Sequence, residues 1–306
     1  MHLPCGNVTI ALDNGNGDIS FVSHAHSDHL IGVRRKEKII ASEETIALAN
    51  LKGKRTSIPN TKLLNAGHIL GARQIAVEED GRKTVYTGDI CLHDNLITKG
   101  GEIEQCDKLI IEATYASHEY KFPKYEEVCD DIAKAIIENY EKNKVNILIG
   151  CYELGKAQEL IKLLNDYCNI APLVNEKTYE FSSVYEQFGT KLDHVLIGSD
   201  EAEEIMKGPF VALVPMRNAK RYFAHRLAEA FNRDTLVFIA TGWALHYGFN
   251  VDRAFPLSDH ADFYDLKHYI EQSGAKEVEF FSGDGNALRV SMGFAKPATT
   301  LPTLSF

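Results

Sequence analysis

Three histidines and an aspartate fall within six residues at His24-Ala25-His26-Ser27-Asp28-His29. On an extended chain side chains alternate, so His24 and His26 project to one side, and a turn after them brings Asp28 and His29 round from another direction. Imidazole nitrogens and a carboxylate gathered in this way suit two adjacent metal ions, zinc foremost, with manganese or iron less excluded than at a thiolate site. A single histidine is usually a surface residue or a satisfied core residue; this spacing, directly after the β-rich run Ile19-Ser20-Phe21-Val22-Ser23, outweighs that reading.

Two later segments supply what the first lacks. Asn65-Ala66-Gly67-His68-Ile69-Leu70-Gly71-Ala72 holds a histidine between glycines that let backbone approach a site closely. Tyr86-Thr87-Gly88-Asp89-Ile90 puts an aspartate just past a strand. Glycine-histidine and glycine-aspartate pairs usually mark turns, and the weight here comes from their order and spacing after the first motif.

The elements that position these residues are short strands at first. Val8–Leu12, Ile19–Ser23, Lys38–Ala41, Gln74–Glu78 and Thr84–Tyr86 read as strands, with tight turns at Asp13–Gly17 and Glu79-Asp80-Gly81. Lys108–Glu112 reads as a strand buried on both faces because of Leu109-Ile110-Ile111. Helix and strand then alternate: a helix over Tyr125–Tyr140, a strand at Val145–Ile149, a helix over Leu154–Leu164, a strand at Val211–Val214, a helix over Ala219–Phe231 and a strand at Thr235–Ala240. That is the texture of a doubly wound unit inserted into, or appended to, the strand-rich part.

HAHSDH, AGHILGA and TGD, in this order, resemble the signature of the metallo-β-lactamase superfamily. The resemblance implies an α/β fold, a four-layer αββα sandwich, with a binuclear zinc site at one edge. His24, His26 and His68 would hold the first ion, Asp28 and His29 the second, and Asp89 would bridge them. A hydroxide shared by the ions would be the nucleophile.

Further segments narrow the family. Leu109-Ile110-Ile111-Glu112-Ala113-Thr114-Tyr115-Ala116 is similar to motif A of the β-CASP nucleases, and Phe255–Phe263, centred on His260, is similar to motif B. Gly150–Leu160 and Ile239–Ala244 resemble the segments that open a β-CASP helix and lead back to the catalytic domain. The similarity runs in order from about residue 20 to 285 and is nearest to ligase-associated DNA exonucleases and archaeal messenger-RNA 3'-end-processing relatives. It implies a first metallo-β-lactamase part at 1–120, an inserted α/β β-CASP domain at 121–240 and a returning part at 241–306. Cleaving a phosphodiester requires a proton for the departing sugar oxygen, and a histidine held by a carboxylate serves near neutral pH. His260 with Glu112 would be that pair, while Ser258 and Asp259 also read as the N-cap of an amphipathic helix through Phe263, Leu266 and Tyr269.

Basic residues gather at Arg217, Lys220, Arg221, Arg226 and Arg233; Arg217 and Arg221 are candidate phosphate contacts, as are Lys156 at a helix opening and Thr241-Gly242 after a strand. A solvated helix face is an equal reading for any one of these cations. The family pattern breaks at Val278–Gly285, where Ser282 stands in the place of the motif C histidine. Serine is a poor zinc ligand, which leaves the second ion Asp28, His29 and Asp89, with Asp284 as an alternative ligand, and points to weak or manganese-dependent occupancy. It also favours DNA over RNA as substrate, with exonuclease action.

The totals bound the rest. At 306 residues with 44% hydrophobic and 25% charged residues, the chain is expected to fold throughout, its last few residues excepted. Six cysteines without close spacing read as free thiols, and no apolar run approaches a membrane span, so a cytoplasmic protein is expected. A net charge of −10 opposes passive polyanion binding, although carboxylates that hold metal ions inflate that figure. The expected partners are single-stranded DNA or RNA and proteins of nucleic-acid processing, with no membrane. A small-molecule hydrolase of the thioesterase or lactonase kind and a non-catalytic nucleic-acid-binding subunit stay as alternatives; the long segment at 120–240 counts against the first and the intact metal motifs against the second.

Overall fold

Alternating apolar side chains in the early strands give each strand one inward face, and those faces meet across two sheets. The computed structural model describes residues 1–293. The last few residues, excepted above from the expectation of folding, lie outside the described residues, Pro297 and Pro302 among them. Two compact units form: Met1–Asp94 with Thr98–Lys121 and the chain from Asp259 onward, and Asn95–Ile97 with Phe122–Ser258.

In the first unit β1 (His2–Cys5), β2 (Val8–Leu12), β3 (Ile19–Phe21), β4 (Lys38–Ile40) and β5 (Lys54–Arg55) lie side by side in that order, with α1 (Glu43–Ala49) between the last two in sequence. β6 (Thr61–Asn65), β7 (Arg73–Glu79), β8 (Arg82–Tyr86) and β9 (Lys108–Ala113) begin a second sheet. Asp80 and Gly81 both have positive φ, 51° and 73°, and Glu79 pairs directly with Arg82, so the Asp-Gly dipeptide closes a two-residue hairpin whose twist matches its strands. Ile10, Leu12, Phe21 and Ile40 of one sheet pack with Ile75, Val77, Tyr86 and Ile110 of the other in a single apolar core. Each such burial contributes roughly 1.5–3 kcal/mol, which is what holds the sheets face to face.

The second unit runs α2 (Tyr125–Ile136), β10 (Asn146–Cys151), α3 (Lys156–Cys168), β11 (Leu173–Val174), α4 (Glu176–Gln187), β12 (Val195–Leu196), α5 (Asp200–Met206), β13 (Val211–Pro215), α6 (Arg221–Phe231), β14 (Thr235–Ala240) and β15 (Arg253–Phe255). Its six strands are all parallel, in the order β12-β11-β13-β10-β14-β15. Crossover helices cover such a sheet, so its central strands read as unbroken apolar runs: every residue of β10 and of β13 is buried. The helix expected through Tyr140 loosens after Ile136 into a wider turn over Ile137–Lys142.

The chain then re-enters the first unit with α7 (Phe263–Ser273), β16 (Glu277–Gly283) and α8 (Asn286–Met292). β16 pairs parallel with β9 and completes the sheet β16-β9-β8-β7-β6, which buries Leu109, Ile110 and Ile111 in a central strand. α7 is pinned to this sheet by the Tyr269 hydroxyl, which donates to Gln74 Oε1 at 2.6 Å. Its N-cap is Asp262, whose carboxylate accepts from the Tyr264 and Asp265 amides, so neither Ser258 nor Asp259 caps it as the sequence suggested. The first unit is two sheets packed face to face with α7 held against one of them, in keeping with the αββα sandwich that the resemblance implies, and an α/β unit is inserted in its sequence. Among the described residues no helix is long and apolar enough to cross a membrane.

Candidate metal centre

β3 ends at Phe21, and the chain bends at Ala25, between His24 and His26, before a 3-10 turn at Ser27–Leu30. This places His24 Nε2 3.1 Å from His26 Nδ1, which is 3.2 Å from His68 Nε2. Asp89 Oδ2 lies 3.5 Å from His24 Nε2 and 3.9 Å from His68 Nε2. Ligands about 2.1 Å from a tetrahedral zinc ion stand about 3.4 Å from one another, so these separations bracket the edges of a coordination tetrahedron.

The outer nitrogens fix which atoms face inward. His68 Nδ1 donates to the Asp259 carbonyl at 2.7 Å. His24 Nδ1 donates to Ser23 Oγ at 3.0 Å, and that hydroxyl donates in turn to Asp13 Oδ2 at 2.7 Å. Lone pairs on both Nε2 atoms therefore converge on one point, an arrangement that repels itself until a cation accepts them. Asp89 Oδ1 is buried with no hydrogen-bond partner, a further opening for a cation. Burial, with neighbouring imidazoles, holds the His24 pKa well below its usual value, and burial and His260 pull that of His68 down to about 3. Neutral imidazole is the ligating form. The donor set fits a metal ion.

His68 reaches this point because Gly67, at φ +76°, passes the neighbouring loop so closely that a Cβ would stand 2.1 Å from the Cys91 carbonyl oxygen. On the other side, His29 Nε2 lies 3.4 Å from Asp89 Oδ2 and 3.6 Å from Asp28 Oδ2. This second set is more open: the Asp28 side chain is 57% exposed, and neither Asp28 nor His29 belongs to the tight group formed by His24, His26, His68 and Asp89. Ser282 is exposed at a bulge in β16 with φ +54°. Asp284, considered above as a substitute ligand, is also exposed, accepts the Asn286 amide at the start of α8, and joins none of the ligand groups.

Asp13 organises the site, and the sequence reading placed it in a turn. It is buried at the end of β2 with φ 49°. Oδ1 accepts the Ser23 amide, and Oδ2 accepts the Ser23 hydroxyl, the Tyr86 hydroxyl and His29 Nδ1, each at 2.7 Å. A carboxylate behind a histidine sets the tautomer and orientation of its ring. The available signal was an acidic residue directly after an apolar strand, close to the pattern that marked Asp89.

Glu112 is fully buried on β9. Its Oε1 accepts the Ile90 amide, next to Asp89, at 2.7 Å, and its two oxygens receive His260 Nδ1 at 2.9 and 3.0 Å. The His260 ring centre is 4.5 Å from that of His68. Burial alone would lower the His260 pKa; the Glu112 carboxylate overrides it and lifts the value to about 10. The Glu112 carboxylate thus favours the protonated form of His260 beside the candidate ligands.

The remaining candidates lie in the second unit. Lys156 is 1% exposed, with its ammonium on Glu159 Oε2 at 2.7 Å inside α3, so the expected exposed phosphate ligand is instead half of a buried ion pair. Thr241 and Gly242 are buried, and the Thr241 amide donates to the Phe255 carbonyl at 3.0 Å. Arg221 is engaged by Asn250, Val251 and Asp252, and Arg233 by the Lys207 and Gly208 carbonyls. Arg217 stays 74% exposed, 3.9 Å from Glu153.

No family model matches the chain. Among curated proteins it is 32% identical over 291 residues to a "Probable DNA ligase" of Opitutus terrae, covering 85% of this chain and 26% of that protein. It is 29% identical over 182 residues to an "RNase J-like protein" of Methanocaldococcus jannaschii, covering 58% and 43%. With "Transcription termination factor FttA" of Methanothermobacter thermautotrophicus it shares 24% identity over 279 residues, covering 78% and 43%. The chain thus spans between about a quarter and under half of the length of these relatives. With a histidine-aspartate cluster, a carboxylate-held histidine and an inserted α/β unit all on one chain, and with these relatives, the chain belongs to the β-CASP nuclease family of the metallo-β-lactamase superfamily.

Proposed function

We propose that the chain is a metal-dependent nuclease that hydrolyses phosphodiester bonds of single-stranded nucleic acid, DNA favoured over RNA, from a strand end. The observation that carries this reading is the His260–Glu112 pair, set beside the His68 ring within the same unit. A hydrolase of thioesters or lactones has less need of a dedicated cation next to its metals, whereas a departing sugar oxygen requires a proton. His24, His26 and His68 would hold one zinc ion and Asp28 with His29 a second, Asp89 serving both. When bound, such ions supply Lewis acidity toward a phosphoryl oxygen and make water acidic enough to react near neutral pH.

The chain's own groups do the rest. His260 Nε2 gives a proton to the leaving oxygen while Nδ1 stays on Glu112, which spreads the charge and fixes the ring. Glu112 also holds the Ile90 amide, so one carboxylate sets the position of the acid and of the Asp89 loop together. The exposure of Asp28 and the serine at 282 support unequal ions, the second exchangeable and replaceable by manganese.

The test is cleavage of end-labelled single-stranded DNA and RNA of one sequence with zinc or manganese, for wild type, Asp89→Ala and His260→Ala. Metal-dependent cleavage abolished by Asp89→Ala and reduced at least about a hundred-fold by His260→Ala is expected. Absence of cleavage of either strand by metal-loaded wild type would overturn the reading.

A further inference from the structure

The chain passes from the second unit into the first between Ser258 and Asp259, and the three residues that follow are each tied to a different part of the metal centre. The Asp259 carbonyl accepts from His68 Nδ1 at 2.7 Å. His260 Nδ1 lies on the Glu112 carboxylate at 2.9 and 3.0 Å. The Ala261 amide donates at 2.6 Å to the carbonyl of Ile90, the residue after Asp89. The Ile90 peptide closes the circuit, because its own amide donates to Glu112 Oε1 at 2.7 Å. Ala261, Ile90 and Glu112 are fully buried, so none of their bonds can be exchanged for a bond to water unless the segment opens. Beyond it the chain is fixed again, with Asp262 capping α7 and the Phe263 amide donating to the Tyr120 carbonyl.

A metal ion on Nε2 of an imidazole draws electron density from the ring and makes Nδ1 a stronger donor, toward the charge-assisted kind of hydrogen bond. Zinc on His68 would therefore tighten the hold on the Asp259 carbonyl. A ring without an ion is free to carry its proton on Nε2, and that tautomer leaves the carbonyl without its donor. On the other side, an ion on Asp89 would steady the loop whose Ile90 carbonyl holds Ala261. His260 stands between these two ties. We infer that Asp259 and Ala261 are positioning residues, whose main chain carries metal occupancy at His68 and Asp89 to the placement of His260. The inference rests on the nuclease reading for the use made of His260, and on the main-chain bonds alone for the coupling. Such coupling is reciprocal: the order that zinc gives the segment returns as affinity for zinc. A segment that was merely packed would keep its bonds equally with and without an ion. Setting the acid in place only at a loaded site confines proton donation to protein that carries its metal.

The test is amide hydrogen exchange of the full chain, read residue by residue by NMR in zinc and after treatment with chelator, with no substrate present. The Ala261 amide should slow about ten-fold or more in zinc. The Leu266 amide, bonded to the Asp262 carbonyl in α7, should exchange alike in both. Ala261→Pro removes the donor and should lower zinc affinity, measured against a chelating dye, about ten-fold or more. Ala261→Gly keeps the donor and should stay close to wild type. The wild-type exchange decides whether or not the proline variant folds. Equal exchange of the Ala261 amide in zinc and chelator, equal slowing of Ala261 and Leu266, or a folded Ala261→Pro protein with undiminished zinc affinity would overturn the coupling. Zinc-dependent protection of Ala261 in a chain that cleaves no phosphodiester would overturn the nuclease reading alone.

Discussion

Asp13 touches no candidate metal position directly, yet it receives His29 Nδ1, both donors of Ser23 and the Tyr86 hydroxyl. Asp13→Ala frees the His29 ring to rotate and removes the acceptor that orients Ser23 Oγ behind His24. Zinc affinity measured against a chelating dye should fall roughly 10–100-fold; undiminished affinity would remove Asp13 from the site's architecture. Glu112 acts on His260 through charge. With its pKa lifted to about 10, His260 keeps its proton through the neutral range, and the pairing stabilises the fold fully below about pH 6.5, an advantage lost as pH rises toward 10. Glu112→Gln keeps the hydrogen-bonding shape and removes the charge, leaving burial to pull the pKa down. The alkaline limb of the pH–rate profile should therefore move to lower pH by a unit or more; a limb that stays in place assigns the proton to another group.

At the scale of elements, α3 is the clearest case of a polar group that works inside. Lys156 and Glu159 are both buried, one turn apart on the helix that crosses from β10 to β11. Taking two charges out of water is costly, and their mutual attraction offsets that cost only while both are present. Lys156→Met should destabilise the protein by about 3–5 kcal/mol in urea unfolding, and adding Glu159→Leu should recover much of the loss. A Lys156→Met protein as stable as wild type would show that the pair is dispensable. The same physics explains why a lysine at a helix opening was misleading: its position suggested a phosphate, whereas the carboxylate three residues on and the depth of the helix decided its partner.

Across the whole molecule, every candidate metal ligand belongs to the first unit and every candidate strand contact to the second. Metal binding should therefore protect one unit selectively. In hydrogen exchange, zinc should slow amides around 22–30, 66–72 and 88–91 relative to protein treated with chelator, with β10, β13 and α3 exchanging alike in both. Uniform protection of the two units would indicate that the ligands tie the whole chain into one cooperative block.

The sequence by itself determined the spacing of the metal motif, most of the longer strands, β6 and the seven-residue β16 excepted, and the alternating texture of the second unit, because each follows from local spacing: side chains alternate on a strand and recur every few residues on a helix. His24 and His26 were legible for that reason, as was the Asp80-Gly81 hairpin. β11, β12 and β15, of two or three residues each, escaped notice because no period can show in so short a run. Only the tertiary structure decided the rest. It showed that Asp13, within the bend that follows β2, stands behind His29, that Asp262 caps α7, that Asp284 serves α8, and that Lys156 faces Glu159. A hydrogen-bond partner is fixed by which atoms the packed sheets bring within about 3 Å, a long-range property that no local pattern of residues carries.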